Sequence, residues 1–163
     1  MRAALKRLVL PELRARGFTG ELPTLRRLAP DATHTFTVQV SKWGGEFIVE
    51  LGRAPAGPYV TASGEAVAPE ALEAFHLRDG ARARLRAVPD VLREVWFSYK
   101  LTLRDRVRRR IARVVGRVSA PDPFERAARQ VLLLLPECDR WWAGEDGLPH
   151  VRSFAEQFAE QGR

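Results

Sequence analysis

Thr33-His34-Thr35-Phe36-Thr37-Val38-Gln39-Val40, then Ser41-Lys42-Trp43-Gly44-Gly45, then Glu46-Phe47-Ile48-Val49-Glu50-Leu51: this stretch decides the fold. Phe36, Val38 and Val40 alternate with Thr35, Thr37 and Gln39, and the period of two in β-branched and aromatic residues predicts a half-buried strand. Phe47, Val49 and Leu51 alternate in the same way with Ile48 and Glu50. Adjacent glycines between the two runs supply the positive φ angles that a tight turn needs, so the segment reads as an antiparallel hairpin.

Upstream, Leu5, Leu8, Val9 and Leu13 form one apolar helical face in Ala3 to Arg16, interrupted at Pro11, where the helix kinks or starts late. Gly17 is placed to end that helix in the left-handed conformation, which returns Phe18 to the core. Leu22 to Leu28 is a further, weaker strand pattern. Downstream, the prolines and glycines between Arg53 and Pro69 predict a loop with a short edge strand at Tyr59 to Ala62. A short helix is expected from Pro69 to Phe75, and a turn at Arg78-Asp79-Gly80. Arg82, Arg84 and Arg86 alternate with Ala83, Leu85 and Ala87, a pattern that fits a polar-faced strand or a short helix. Asp122-Pro123 is an N-cap and first-turn pair. It opens a helix along Phe124, Ala127, Ala128, Val131, Leu132 and Leu135, expected to stop at Pro136, with Trp141-Trp142 in the following loop and a last short helix around Phe154. Helix, then strands, then helices predicts an α+β fold: an antiparallel sheet around the central hairpin, packed by several helices. One domain over residues 1–163 is expected, with the sheet region at about 18–87 and a helical part at about 90–160.

The chain has 163 residues and a net charge of +7. Lys100, Arg104, Arg106, Arg108, Arg109, Arg110, Arg113 and Arg117 carry eight positive charges against Asp105 alone, and eight minus one equals the whole net charge. Leu103, Val107, Ile111, Val114, Val115 and Val118 recur at spacings of three and four, which predicts an amphipathic helix with its arginines outward. Such a ridge suits an anionic partner, and it also suits a plain solvated face. Abundant arginine and alanine along the whole chain are a compositional bias, so clustering rather than arginine content is the signal. The single cysteine, Cys138, excludes an internal disulfide framework and fits a reducing compartment. The apolar run Leu8-Val9-Leu10 is cut by Pro11, too short for a signal-peptide core, and no run approaches a membrane-spanning length. The expected compartment is the cytoplasm.

Leu13-Arg14-Ala15-Arg16-Gly17-Phe18, then a strand, then Val40-Ser41-Lys42-Trp43-Gly44-Gly45-Glu46-Phe47 and Leu51-Gly52, resembles a family of small bacterial proteins known only as a domain of unknown function. His76-Leu77-Arg78 with Arg84-Leu85 is a further echo, although the family pattern often carries cysteine where this chain has Phe75. The resemblance implies the fold and a bacterial origin and transfers no activity. By analogy with genes found near toxin and defence genes, it implies an immunity or interaction role.

His76 and Arg78 form the one polar pair patterned like the family. A histidine beside a guanidinium can hold an oxyanion, and the plain alternative is a histidine bonded to backbone. His34 and His150 are isolated in sequence and read as surface or strand-end residues. Cys138, flanked by Glu137 and Asp139, lacks the cationic neighbour a reactive thiolate needs. No metal-ligand spacing and no phosphate-binding glycine loop are present, so no metal or cofactor is expected. Trp43 at the hairpin tip either anchors a partner or folds back over the sheet. The reading is therefore a non-enzymatic protein-interaction module of an immunity or antitoxin kind, whose Trp43 and arginine helix contact an acidic protein, a toxin among the candidates. The alternative is a nucleic-acid-binding protein using Arg104 to Arg117, disfavoured because no aromatics interleave the arginines. A remoter alternative is an enzyme with His76 and Arg78.

Overall fold

The computed structural model describes residues 1–89, 96–101 and 122–161. The arginine-rich stretch from Arg104 to Arg117 lies outside the described residues.

The chain opens with α1 (Arg2–Leu8) and α2 (Leu10–Ala15), which meet at Val9 with Pro11 in the first turn of α2. Proline has no N–H to donate and fits a first turn, so the amphipathic segment breaks into two helices there. At its far end Gly17, at φ +82°, makes the expected stop. Its N–H bonds to the Arg14 carbonyl and the Phe18 N–H to the Leu13 carbonyl, both at 3.0 Å, the paired pattern of a Schellman cap.

The sheet follows: β1 (Thr19–Glu21), β2 (Thr24–Leu28), β3 (Ala32–Val40) and β4 (Glu46–Pro55) run as consecutive antiparallel neighbours. The predicted hairpin is β3–β4, with Phe36 opposite Leu51 and Val38 opposite Val49. A small separate sheet of β5 (Tyr59–Val60) and β6 (Ala66–Val67) comes next. The short helix expected at Pro69 to Phe75 is instead two single 3₁₀ turns, Pro69–Ala71 and Ala74–His76, parted by extended Leu72 and Glu73. A third turn, Asp79–Ala81, leads into β7 (Arg82–Leu85). The alternating arginine segment is thus a strand, and it pairs with β4. β8 (Phe97–Ser98) pairs with the start of β4 beyond the reach of β7.

α3 (Pro123–Trp142) starts as expected, with the Asp122 carboxylate accepting the Phe124 N–H at 3.1 Å. It does not stop at Pro136. Val131, Leu135, Cys138 and Trp142 continue one buried stripe, and the packing of that stripe outweighs the roughly 3 kcal/mol an interior proline costs. Trp141 and Trp142 are accordingly the buried last turn of α3 and not a loop. Trp142 Nε1 donates to the Gly52 carbonyl at 3.1 Å, and Arg53 donates to the Trp141 carbonyl at 2.9 Å, which latches α3 to β4. β9 (Val151–Ser153), a strand the sequence pattern did not signal, pairs with β7, and α4 (Phe154–Gln161) ends the described chain.

The fold is α+β, an antiparallel sheet of order β1-β2-β3-β4-β7-β9 with β8 beside β4. One face carries Leu25, Phe36, Val49, Leu51 and Leu85 against Leu5, Leu13, Val131 and Leu135 of the helices. The other face was expected to be solvated and is not: Thr35, Thr37 and Glu50 are buried, and a second cluster of Ala54, Val67, Leu72 and Leu77 lies over its end. Among the described residues no helix is long and apolar enough to cross a membrane.

Gly52 marks the closest approach of that second cover. A Cβ there would lie 2.5 Å from Leu77 Cδ1 and closer still to Thr35 Oγ1, both on buried side chains. Gly52→Ala should lower stability by about 1–3 kcal/mol through overpacking. A denaturant midpoint unchanged from wild type would show that the 3₁₀ segment is not packed there.

Candidate functional site

The tip of the β3–β4 hairpin is the first candidate. Ser41 N–H bonds to the Glu46 carbonyl at 3.0 Å and Gly44 N–H to the Ser41 carbonyl at 2.9 Å, while Gly44 and Gly45 sit at φ +71° and +78°. L-residues other than glycine rarely adopt two such conformations in a row. This turn holds Trp43 outward. The indole is 86% exposed and does not fold back over the sheet. The Lys42 ammonium lies over the indole, 5.1 Å from the ring centroid.

The base of the turn is clasped from the side. Tyr99 N–H bonds to the Gly45 carbonyl at 2.9 Å, and Lys100 Nζ pairs with Glu46 Oε1 at 2.8 Å. The Lys100 stem lies so close over Gly45 that a Cβ would come within 2.6 Å of its Cε. Behind it, Phe47 stacks on Phe97 at 5.3 Å, and Tyr99 meets Phe124 at 5.0 Å. Arg126 Nη2 donates to the Lys100 carbonyl at 3.3 Å. Lys100 and Arg126 are thereby held together beside the hairpin, so the chain leaves at Leu101 and returns at Asp122 on the side of the molecule where Trp43 projects. Arg104, Arg106, Arg108, Arg109, Arg110, Arg113 and Arg117 fall between these points, outside the described residues.

His76 and Arg78 lie elsewhere: His76 is the last residue of the second 3₁₀ turn and Arg78 follows it. His76 Nδ1 accepts the Glu73 N–H at 3.0 Å, so the ring accepts from backbone rather than donating to it. Arg78 is exposed, and its own N–H donates to the Tyr59 hydroxyl at 3.1 Å. The other titratable residues are structural. Cys138 is fully buried, and burial together with Asp139 and Glu137 drives its thiol far above the ordinary range. His150 is not isolated: its Nδ1 is 2.6 Å from Glu137 Oε1. Nor is His34 at the surface. It is buried on β3 beside Trp142, and Arg27 Nε and Nη2 both point at its Nδ1 at 3.1 Å. Burial, then the nearby Arg27 charge, lowers its pKa to about 4. Among the described residues no three His, Cys, Asp or Glu side chains gather as a metal-holding group.

A polar cluster the sequence reading passed over sits at the centre of the sheet. Glu50 is 0% exposed. Its carboxylate accepts from Arg82 Nη2 at 2.8 and 2.9 Å, from Arg84 Nε at 3.2 Å and from Gln39 Nε2 at 2.8 Å. The Phe154 ring lies against both guanidinium groups, at 4.2 and 4.8 Å. All four polar residues occupy the polar half of an alternating strand pattern. That was the available signal, and it looked like a solvated face because nothing local announced the elements that cover it.

Residues 9–76 match the family model described as a domain of unknown function (DUF4304), in line with the resemblance carried by the Gly17-Phe18 and Ser41-to-Gly45 motifs. The match runs from the α1–α2 break through β6 to His76. No curated protein and no solved structure matches the chain.

Glu50→Ala removes the carboxylate that Arg82 and Arg84 share in a covered site, so it should destabilise the fold by about 3–5 kcal/mol in denaturant unfolding; a loss below about 1 kcal/mol would mean the cluster is wet. His34 supplies a pH signature. The unfolded chain takes up its proton near 6.5 and the folded chain only near 4, so stability should fall as pH drops through that window. Chemical denaturation across pH 4 to 7 should give a shallower slope for His34→Gln, and identical slopes would contradict a neutral buried imidazole.

Proposed function

We propose that this chain is a non-enzymatic protein-interaction module whose contact surface is the end of the molecule bearing Trp43, and whose partner is an acidic protein that it blocks in the manner of an immunity protein. The observation that carries this reading is the Trp43 indole, 86% exposed on a hairpin tip that is clamped beneath it. Large exposed aromatics are expensive to hydrate, and tryptophan is the residue most enriched among the anchors of interfaces. A tip already fixed by glycine geometry, by Tyr99 and by Lys100 loses little freedom when a partner closes on it, so most of the burial energy remains for binding.

Charge supports the same end. In the sequence, all of the net +7 lies between Lys100 and Arg117, and the residue that opens this stretch, Lys100, pairs with Glu46 at the base of the hairpin turn. A concentrated positive field speeds encounter with an acidic surface and repels basic ones, while the aromatic anchor sets the lifetime of the complex. Cys138, buried with its pKa raised, and His34, buried and neutral, offer no nucleophile or general base to solvent. Nucleic acid would answer to the same charge, but with a steep salt dependence and no need of Trp43.

The test is affinity purification from nuclease-treated lysate of the source cells, with wild type and Trp43→Ala side by side. Wild type should retain one acidic protein in stoichiometric amount. Trp43→Ala should weaken that complex by at least about 2 kcal/mol, roughly thirtyfold, while its own unfolding midpoint stays within about 0.5 kcal/mol of wild type. Retention that disappears with nuclease, or a complex indifferent to Trp43, would overturn the reading.

A further inference from the structure

The opposite end of β4 carries a second feature that the interaction surface does not use. β4 spans Glu46 to Pro55, about 30 Å at 3.3 Å per residue, so what lies beyond Pro55 is remote from Trp43. There the small β5–β6 sheet stands off the main sheet, and its turn faces the second 3₁₀ turn and the residues just after it across an open groove of about 410 Å³. Ser63 and Glu65 form one wall. Phe75, His76 and Arg78 form the other, with Leu77 between them.

Both walls are fixed. In the turn, Thr61 N–H bonds to the Glu65 carbonyl at 2.9 Å and Gly64 N–H to the Thr61 carbonyl at 3.0 Å, while Thr61 Oγ1 lies 2.9 Å from Ser63 Oγ and accepts the Glu65 N–H at 3.2 Å. The facing wall is tied to the small sheet by the Arg78 N–H on the Tyr59 hydroxyl and by Leu77 packing with Val67, Leu72 and Ala54. The groove is therefore preformed rather than a gap between loose loops.

Its chemistry is specific in kind. His76 Nδ1 is committed as an acceptor to the Glu73 N–H, which makes Nε2 the ring's N–H donor. Among the described residues the Arg78 guanidinium has no hydrogen bond or ion pair, and neither does the Glu65 carboxylate. One positive and one negative group thus stand on opposite walls, each open to a ligand. Phe75 is 59% exposed, with its ring centroid 4.0 Å from that of His76, so the groove also offers an aromatic face. A polyanion would be drawn to Arg78 and repelled by Glu65. A ligand that is itself positive at one end and negative at the other satisfies both walls.

We infer that the groove between the β5–β6 turn and Phe75–Arg78 binds a small zwitterion bearing a planar ring, the chemistry of a free aromatic amino acid. The carboxylate pairs with Arg78, assisted by His76 Nε2–H; the ammonium faces Glu65 and Ser63; the ring lies on Phe75. The site is open and its ion pairs are in contact with water, so the affinity belongs in the millimolar range. This binding is independent of the partner surface at Trp43.

The test is a titration of the full isotope-labelled chain with L-phenylalanine, benzoate and phenethylamine, followed by amide chemical shifts. L-phenylalanine should move the amides of Thr61–Glu65 and Phe75–Arg78 in a saturable way. Benzoate and phenethylamine, each lacking one charge, should bind at least about tenfold more weakly. Arg78→Ala and Glu65→Gln should each weaken L-phenylalanine by about tenfold, their spectra elsewhere unchanged because both side chains are exposed; Trp43→Ala should bind as wild type does. No saturable shift with L-phenylalanine, equal binding of benzoate, or an Arg78→Ala variant as tight as wild type would each overturn the inference.

Discussion

A carboxylate shut away from water sets the terms for the rest of this molecule. Glu50 stands at the middle of β4 with no exposed surface, and an unpaired charge in such a place would cost several kcal/mol. Its donors must come from the strands on either side: Gln39 from β3, Arg82 and Arg84 from β7. β7 is thereby held to one register against β4, because a slip of one residue would turn both arginines to the opposite face. Phe154 then covers the guanidinium groups, which brings β9 and α4 to the sheet. On the other face Phe36, Val49 and Leu51 meet the helices in an ordinary apolar core. β3 and β4 are consequently buried on both sides, and the middle of the sheet has no room for a ligand.

What can meet another molecule is pushed to the two ends of β4. At one end the glycine turn lifts Trp43 into solvent while Lys100 and Tyr99 brace the backbone beneath it. At the other, past Gly52 and Pro55, the chain makes a small detached sheet and a series of 3₁₀ turns whose polar side chains are open to water. A rigid centre with adaptable chemistry at the rims is a common arrangement for binding proteins, because the scaffold carries the ordering cost in advance.

The hairpin, the Gly17 stop, the Asp122 cap and the α+β class were legible in the residues themselves, since each rests on local physics: period-two alternation, positive φ, a side-chain cap. Three things were not. Pro136 signals a helix end, yet the buried stripe through Cys138 and Trp142 carries α3 onward, and that stripe has meaning only once β4 is there to receive it. Gln39, Glu50, Arg82 and Arg84 each look solvated alone, and become a buried network only when three strands and Phe154 converge. His34 reads as isolated because Arg27 and Trp142 reach it through pairing and packing rather than through sequence proximity. Of the candidate contact residues, Trp43 was identifiable from its place on a two-glycine turn, although its outward orientation was not. His76 and Arg78 were singled out as a pair, but the wall bearing Glu65 that faces them comes from a hairpin of which the composition marked only the first strand, near Tyr59, within a loop.

Trp43 as a partner anchor requires an indole that is open in the free protein and covered in the complex. Hydroxyl-radical footprinting with mass-spectrometric readout, on the free chain and on the same chain with its purified partner, measures this directly. Rapid oxidation of Trp43 when free and strong protection when bound, with buried Trp141 slow in both, is the predicted result. An indole already protected in the free chain, or equally reactive with the partner in place, would contradict it.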